Sequence, residues 1–264
     1  TNESYWNVEG NNLKKMTFLY TDGSDHQKMY DDFFNGVIDG VGLSTERVQI
    51  AREKGTFDKY AYIADTNATT YCGFFNLRRA AFANYNDANV GISPKTEEQK
   101  VRSGAAMLNQ NFRLALATSM DRATYNEQSV GSELKLTNLI NSYTPGTFVS
   151  LDEDTTVSIN GTDKTYPKGT FYGQIVQDQL DADGVKLTVW NGQSSSGFDG
   201  WYNPESAKAY ITAAVEELAA VGIEVTKENP IYLDFCVNTV STVSTNRMQA
   251  LKKSVEAATD GLVI

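Results

Sequence analysis

The chain has 264 residues, with 23 Lys and Arg against 33 Asp and Glu and a single histidine. A formal charge of −10 repels a phosphate backbone instead of releasing its counterions, which argues against nucleic acid as a partner. With 41% hydrophobic and 21% charged residues and only 5 prolines, the composition is globular, and the length is enough to bury a core without disulfide staples. His26, Cys72 and Cys236 are too few for a His/Cys zinc set or a four-cysteine cluster, so no metal site and no cofactor is expected. Cys72 and Cys236 are read as two buried free thiols. No apolar window of about 18 residues exists, so no membrane span is expected. The chain opens at Thr1 without a leader and stops within Gly261-Leu-Val-Ile264, which reads as a fragment of something longer.

In chain order, Leu13 to Tyr20 reads as a strand. Ser24 then caps a helix carrying Met29, Tyr30, Phe33 and Phe34, with Gly36 ending it. Val37 to Val41 reads as a short strand, and Ser44 caps a second helix through Val48. Tyr60 to Ala64 and Thr70 to Asn76 are rich in β-forming aromatic residues. From Thr96 to Ser142 the period turns helical, with one stripe of Ala105, Leu108, Phe112, Leu116 and Met120 and another of Leu134, Leu136, Leu139 and Ile140. Tyr143-Thr-Pro-Gly146 marks a turn. The stretch from Leu151 to Gly200 holds 7 Gly and 8 Asp or Glu against 3 Lys, and reads as an elaborated surface segment. Asn203-Pro-Glu205 is a helix start with proline at the first helical position, and Ala207, Tyr210, Ile211, Ala214, Leu218 and Val221 line one face down to Gly222. Ile231 to Cys236 alternates as a strand. Met248, Leu251 and Val255 mark a final helix before a strand at Leu262. The pattern is α/β, a mixed β-sheet flanked by helices, over one unit spanning 1–264 with the elaborated segment at about 151–200.

Three stretches invite a chemical reading. Ser132-Glu-Leu-Lys135 matches the S-x-x-K pattern of serine acyl enzymes, but S-D-N is missing and Lys168-Gly-Thr170 is only a partial echo of K-T-G. Gly40-Val-Gly-Leu-Ser44 ends a strand and opens a helix, so its backbone N–H groups can meet an anionic or carbonyl group. It lacks the third glycine of a dinucleotide loop and the acid about 20 residues on. Tyr71-Cys-Gly-Phe-Phe-Asn76 is an aromatic strand with Gly73 at its centre, a common mark of another backbone approaching. Its two faces are both largely apolar, which reads as a central strand.

Several stretches together resemble one family. Glu3-Ser-Tyr-Trp-Asn7 leading into Leu13-Lys-Lys-Met-Thr-Phe18 is similar to an N-x-x-Y-W-D segment, and Phe34-Asn-Gly-Val-Ile-Asp39 to F-x-x-G-E-I-D with Val37 in place of glutamate. Tyr71 to Asn76 is similar to Y-x-x-F-N. Phe112-Arg-Leu-Ala-Leu-Ala-Thr-Ser-Met-Asp-Arg122 is similar to V-R-Q-A-L-S-x-A-I-D-R, and Tyr202-Asn-Pro-Glu-Ser-Ala-Lys208 to Y-D-P-x-K-A-K. In this order they resemble the extracytoplasmic oligopeptide-binding proteins of ABC importers, with Asn229-Pro-Ile-Tyr-Leu-Asp234 pointing to the Gram-positive Ami/Opp-type lipoproteins. The resemblance implies one lobe of a type II periplasmic-binding-protein-like fold, the C-terminal lobe of a two-lobed, non-enzymatic protein.

It also implies oligopeptides, the other lobe and an ABC transporter permease as partners, and a cell-surface, lipid-anchored location. Carried over by position, Val41, Gly42, Leu43 and Ser44 and Tyr71, Cys72, Gly73 and Phe74 face the ligand. Arg113, Asp121 and Arg122 are assigned to structure. An isolated lobe is expected to bind peptide weakly or not at all. Two alternatives stand beside this reading: a sugar-binding lobe stacking rings on Trp6, Trp190, Trp201 and some of the 14 tyrosines, and a serine-lysine acyl enzyme using Ser132 and Lys135.

Overall fold

The computed structural model describes residues 4, 6–7, 9–10, 12–13, 15–20, 25–43, 45–62, 69–77, 93–235, 237, 239 and 241–264, without the side chains of His26, Thr45 and Glu46. It divides into two compact units, Thr1–Ala61 and Tyr62–Ile264.

The first unit contains α1 (His26–Phe34), α2 (Thr45–Glu53) and the single turn α3 (Phe57–Tyr60). Asp25 caps α1 by accepting from Lys28 N; the expected cap Ser24 lies outside the described residues. Gly36 sits at φ +71° just beyond the C-cap Asn35, the left-handed position where glycine escapes the Cβ penalty. Tyr30, Val48 and Ala51 are buried, and Phe34 stacks edge-on against Tyr60 at 5.6 Å. A salt bridge of 3.0 Å joins Lys54 on the α2 side to Asp31 of α1.

The core of the second unit is helical. It comprises α4 (Glu97–Leu108), α5 (Gln110–Ser119), α6 (Arg122–Val130), the hairpin β1 (Thr155–Ile159) and β2 (Thr162–Tyr166), α7 (Tyr172–Ala182), α8 (Pro204–Ala220) and α9 (Thr242–Ala258). Starts follow local chemistry. Thr96 and Gln99 form a reciprocal capping box on α4, while Asn109, Asp121, Asn203 and Ser241 cap α5, α6, α8 and α9. Phe112, Ala115 and Leu116 of α5 meet Ile211, Ala214 and Leu218 of α8, and Val225, Ile231, Val255 and Val263 complete one buried cluster. Burying each such aliphatic or aromatic side chain contributes roughly 1.5–3 kcal/mol before conformational entropy is counted. Arg102, itself buried, donates to the carbonyls of Glu224 and Asn229 at 2.7 Å each and so fixes the loop after α8.

Two of the expected helices hold: α5 buries Phe112 and Leu116, and α8, opened by Pro204 behind Asn203, buries Ala207, Ile211, Ala214 and Leu218, while Val221, expected on the same face, is the exposed C-cap. The strands differ. Among the described residues the named sheet is the antiparallel β1–β2 hairpin, registered from Thr155 opposite Tyr166 to Ile159 opposite Thr162. The expected larger sheet is represented by one parallel pairing, Ile231 with Val263, on either side of α9. The described parts of 13–20, together with 37–41 and 70–76, carry no strand, and Tyr60 ends a helical turn. Extended, apolar sequence becomes a strand only when another backbone takes its N–H and C=O groups; here these segments are largely exposed instead, with Ile38, Val41 and Thr70 half-buried.

Two further expectations are corrected. The stretch holding Leu134, Leu136, Leu139 and Ile140 forms turns rather than a helix: Gly131 ends α6 at φ +81°, Asn126 of α6 donates to Lys135 O at 2.8 Å, and Ile140 pairs with Ser196. Leu108, expected in the buried stripe, is exposed because α4 ends there and Asn109 restarts the chain as α5.

Candidate functional site

The turn before α2 belongs to the first unit. Arg47, on the first turns of α2, reaches back and donates from Nη1 to Gly42 O at 2.9 Å, while Nη2 donates to Met29 Sδ on α1. Gly42 is exposed and Val41 and Leu43 are half-buried. Ser44 lies outside the described residues. The short strand expected before this turn is a run of bends.

The segment 70–77 belongs to the second unit. Thr70 Oγ1 donates to Tyr143 O at 2.8 Å and ties the segment to the turn before Pro145. Beyond it Tyr71 is 93% and Phe74 83% exposed. The reading of a central strand is therefore corrected to an exposed segment outside any strand, with Tyr71 and Phe74 almost uncovered among the described residues and Phe75 more than half covered. Cys72 is a free, exposed thiol rather than a buried one; Cys236 lies outside the described residues.

Gly42 and Gly73 share a property that separates them from glycines needed for packing. Neither has positive φ, and a Cβ added at either would meet no atom within 4 Å beyond its chain neighbours. Gly146 and Gly173 are the contrast: their backbones touch, and a Cβ at Gly173 would lie 2.4 Å from the Trp190 ring. Packing explains Gly146 and Gly173; among the described residues no contact explains Gly42 and Gly73, and Gly40 and Gly104 share their open space and ordinary φ. A bare backbone with open space above it suits the approach of a second main chain.

The residues assigned to structure sit in structural roles. Asp121 caps α6 through Thr124 N at 2.8 Å, and Arg113 donates to Met107 O at 2.7 Å. Arg122 is a hub. Its guanidinium bonds Asp199 Oδ1 from Nη2 at 2.7 Å and from Nε at 3.1 Å, reaches Ile140 O at 3.1 Å, donates to Asn141 Oδ1, and lies 4.9 Å from the Trp201 ring centre. Asn141, almost fully buried, donates onward to Ser195 O and Phe198 O. Sequence reasoning did not single out Asp199 or Asn141, because the partners lie 77 and 19 positions from Arg122.

The acyl-enzyme reading loses its geometry. Ser132 is exposed in a turn, where the helical spacing behind S-x-x-K does not apply, and Lys135 Nζ pairs with Glu127 Oε2 at 3.0 Å. Two of the three tryptophans of the sugar-stacking reading are engaged within the fold: Trp201 serves the Arg122 hub, donating from Nε1 to Asn141 O at 3.0 Å, and Trp190 packs on Gly173 and Phe171. In the surface segment, burial raises the Asp178 carboxyl, but donation from Lys164 and Tyr166 outweighs this and holds it below the usual 3.8. Burial first, and then the bond to Asp178, push the Tyr166 hydroxyl far up. This cluster pins β2 to α7. Among the described residues no group of three His, Cys, Asp or Glu side chains is placed to hold a metal ion, and no helix is long and apolar enough to cross a membrane.

Each unit thus carries one exposed, glycine-bearing backbone segment, 41–43 in the first and 71–74 in the second. Over its whole length the chain is similar to streptococcal oligopeptide-binding proteins. SarA of Streptococcus gordonii is 28% identical over 265 residues, covering 100% of this chain and 36% of the relative. AliB of Streptococcus pneumoniae is 29% identical over 266 residues with the same coverages, and AliA of that species is 29% identical over 257 residues, 97% of this chain and 34% of the relative. The chain thus spans about a third of the length of the curated relatives it matches. No family model matches it.

Proposed function

We propose that the chain is a ligand-binding lobe of an extracellular oligopeptide-binding protein that captures peptides and hands them to an ABC transporter permease. The observation that carries this reading is the pair of unpacked glycines, Gly42 and Gly73, on exposed backbone, in a chain similar end to end to proteins named for oligopeptide binding. Residues 41–44 and 71–74 are the proposed ligand-facing positions. Main-chain hydrogen bonds hold peptides of varied sequence, because every peptide presents the same N–H and C=O groups. Side chains are then accommodated in wet space, which keeps specificity low.

On this reading 1–264 is one lobe of a type II binding-protein-like fold. A second lobe of the same protein closes over the peptide by a hinge, and the closed form presents itself to the permease. Catalysis plays no part, and the protein works at the cell surface, held by a lipid anchor. Nucleic acid is not a partner, in keeping with the net charge.

The test is native mass spectrometry of the gene product that contains this chain, purified without denaturation. The reading expects a heterogeneous set of short peptides released on unfolding. A clean apo mass that gains nothing from an added peptide mixture would remove it.

A further inference from the structure

We infer that Arg47 is a positioning residue for peptide capture, orienting the Gly42–Leu43 peptide unit so that the Leu43 N–H is presented to a carbonyl of the bound peptide. The inference rests on the proposed role of the 41–44 turn and adds a donor and a device that aims it. A trans peptide unit points its C=O and its following N–H in opposite directions. With Gly42 O held by Arg47 Nη1 at 2.9 Å, the Leu43 N–H points away from α2. Among the described residues no backbone acceptor takes that N–H, nor those of Val41 and Gly42.

Arg47 is itself held on its second side. Nη2 donates to Met29 Sδ of α1, so the guanidinium, carried by α2, bridges α1 and the turn. Its Nε is buried without a partner among the described residues, an arrangement that forgoes one hydrogen bond to make the other two. The fork of the guanidinium suits this double reach, which a lysine cannot copy because its donors share one nitrogen. The glycine at 42 adds the steric half, since the space where its side chain would stand is open.

The test measures the affinity of the gene product containing this chain for penta-alanine, a probe with little to offer but its main chain. Arg47→Met is expected to weaken binding about tenfold, the order expected when a hydrogen bond involving a charged group is lost. Arg47→Lys, which keeps the charge and a single donor, is expected to lose less. Arg52→Met is the control: Arg52 lies on the same helix, with its guanidinium 4.0 Å from the Phe57 ring centre, and its loss is expected to leave affinity within about twofold. Hydrogen exchange at the Leu43 amide supplies a readout that a merely structural role would not move. Penta-alanine should slow it in the wild type and in Arg47→Lys but not in Arg47→Met. Binding by the wild type with unchanged affinity in Arg47→Met, or with no protection of Leu43, overturns the assignment of Arg47 and leaves peptide binding standing. No binding by the wild type overturns both. Should Arg47→Met not fold, Arg47→Lys decides: wild-type affinity together with an unprotected Leu43 amide overturns the inference.

Discussion

Replacing Arg122 by methionine removes a cation and leaves its acceptors behind. Four side-chain hydrogen bonds disappear, two to Asp199, one to Ile140 O and one to Asn141. Asp199, whose side chain is only 9% exposed, keeps backbone donors from Arg122 itself, Ala123, Trp201 and Tyr202, so its charge is not stranded. Breaking a buried pair by removing one partner costs about 3–5 kcal/mol, and these surviving donors, with the partial exposure of Arg122, put the cost near 3 kcal/mol. For a domain of about 200 residues this lowers Tm by roughly 6–12 °C. A thermal melt followed by circular dichroism reads it directly. The Arg122→Lys variant should recover only part of the loss, because a lysine cannot reach Asp199, Asn141 and Ile140 together. A fall in Tm of less than about 2 °C would refute the description of this hub as the fastening between α6 and the 195–201 loop.

Two further predictions concern pH and the ligand segment. The Asp178 carboxyl is held below its unfolded value, so its bonds to Lys164 and Tyr166 stabilise the fold above about pH 4, and that contribution is lost as pH falls through its folded pKa; the gap between melts of the wild type and Asp178→Asn should be full at pH 7 and narrow as pH is lowered below about 4, and a gap that widens on acidification would contradict the sign. Gly73→Ala is expected to leave Tm unchanged or raise it slightly, since its φ and surroundings accept a methyl, yet to lower peptide affinity about tenfold in a titration; unchanged affinity would mean that no ligand main chain approaches Gly73.

The parts of the fold legible in the sequence are those set by local rules. Asn203 and Pro204 start α8 because an N-cap acceptor and a missing N–H suit a helix start wherever it occurs, and the α5 face is visible as Phe112 and Leu116 at helical spacing. The strands were not legible in the same way. Tyr71 to Asn76 has strand-like composition, but pairing depends on another backbone, and composition does not supply one. The spacing of Leu134, Leu136, Leu139 and Ile140 invited a helix that the bond from Asn126 to Lys135 O folds into turns. Within the candidate site, Gly73 stood out because glycine in a strand-like run asks for a reason, and Gly42 as part of a glycine-bearing turn at a helix start. Arg47 carried no such signal: an arginine on an amphipathic helix has the same pattern whether it faces solvent or clamps a carbonyl.

The central claim is that the exposed backbone at 41–43 and that at 71–74 each take main-chain contacts from a peptide ligand. Hydrogen exchange of the gene product containing this chain, with and without a pool of short peptides, tests it most directly. The account predicts that amides at Leu43 and from Cys72 to Phe74 slow on adding peptide while those of the α5 and α8 core stay as they are. Peptide binding that leaves both segments exchanging at their free rates would contradict it.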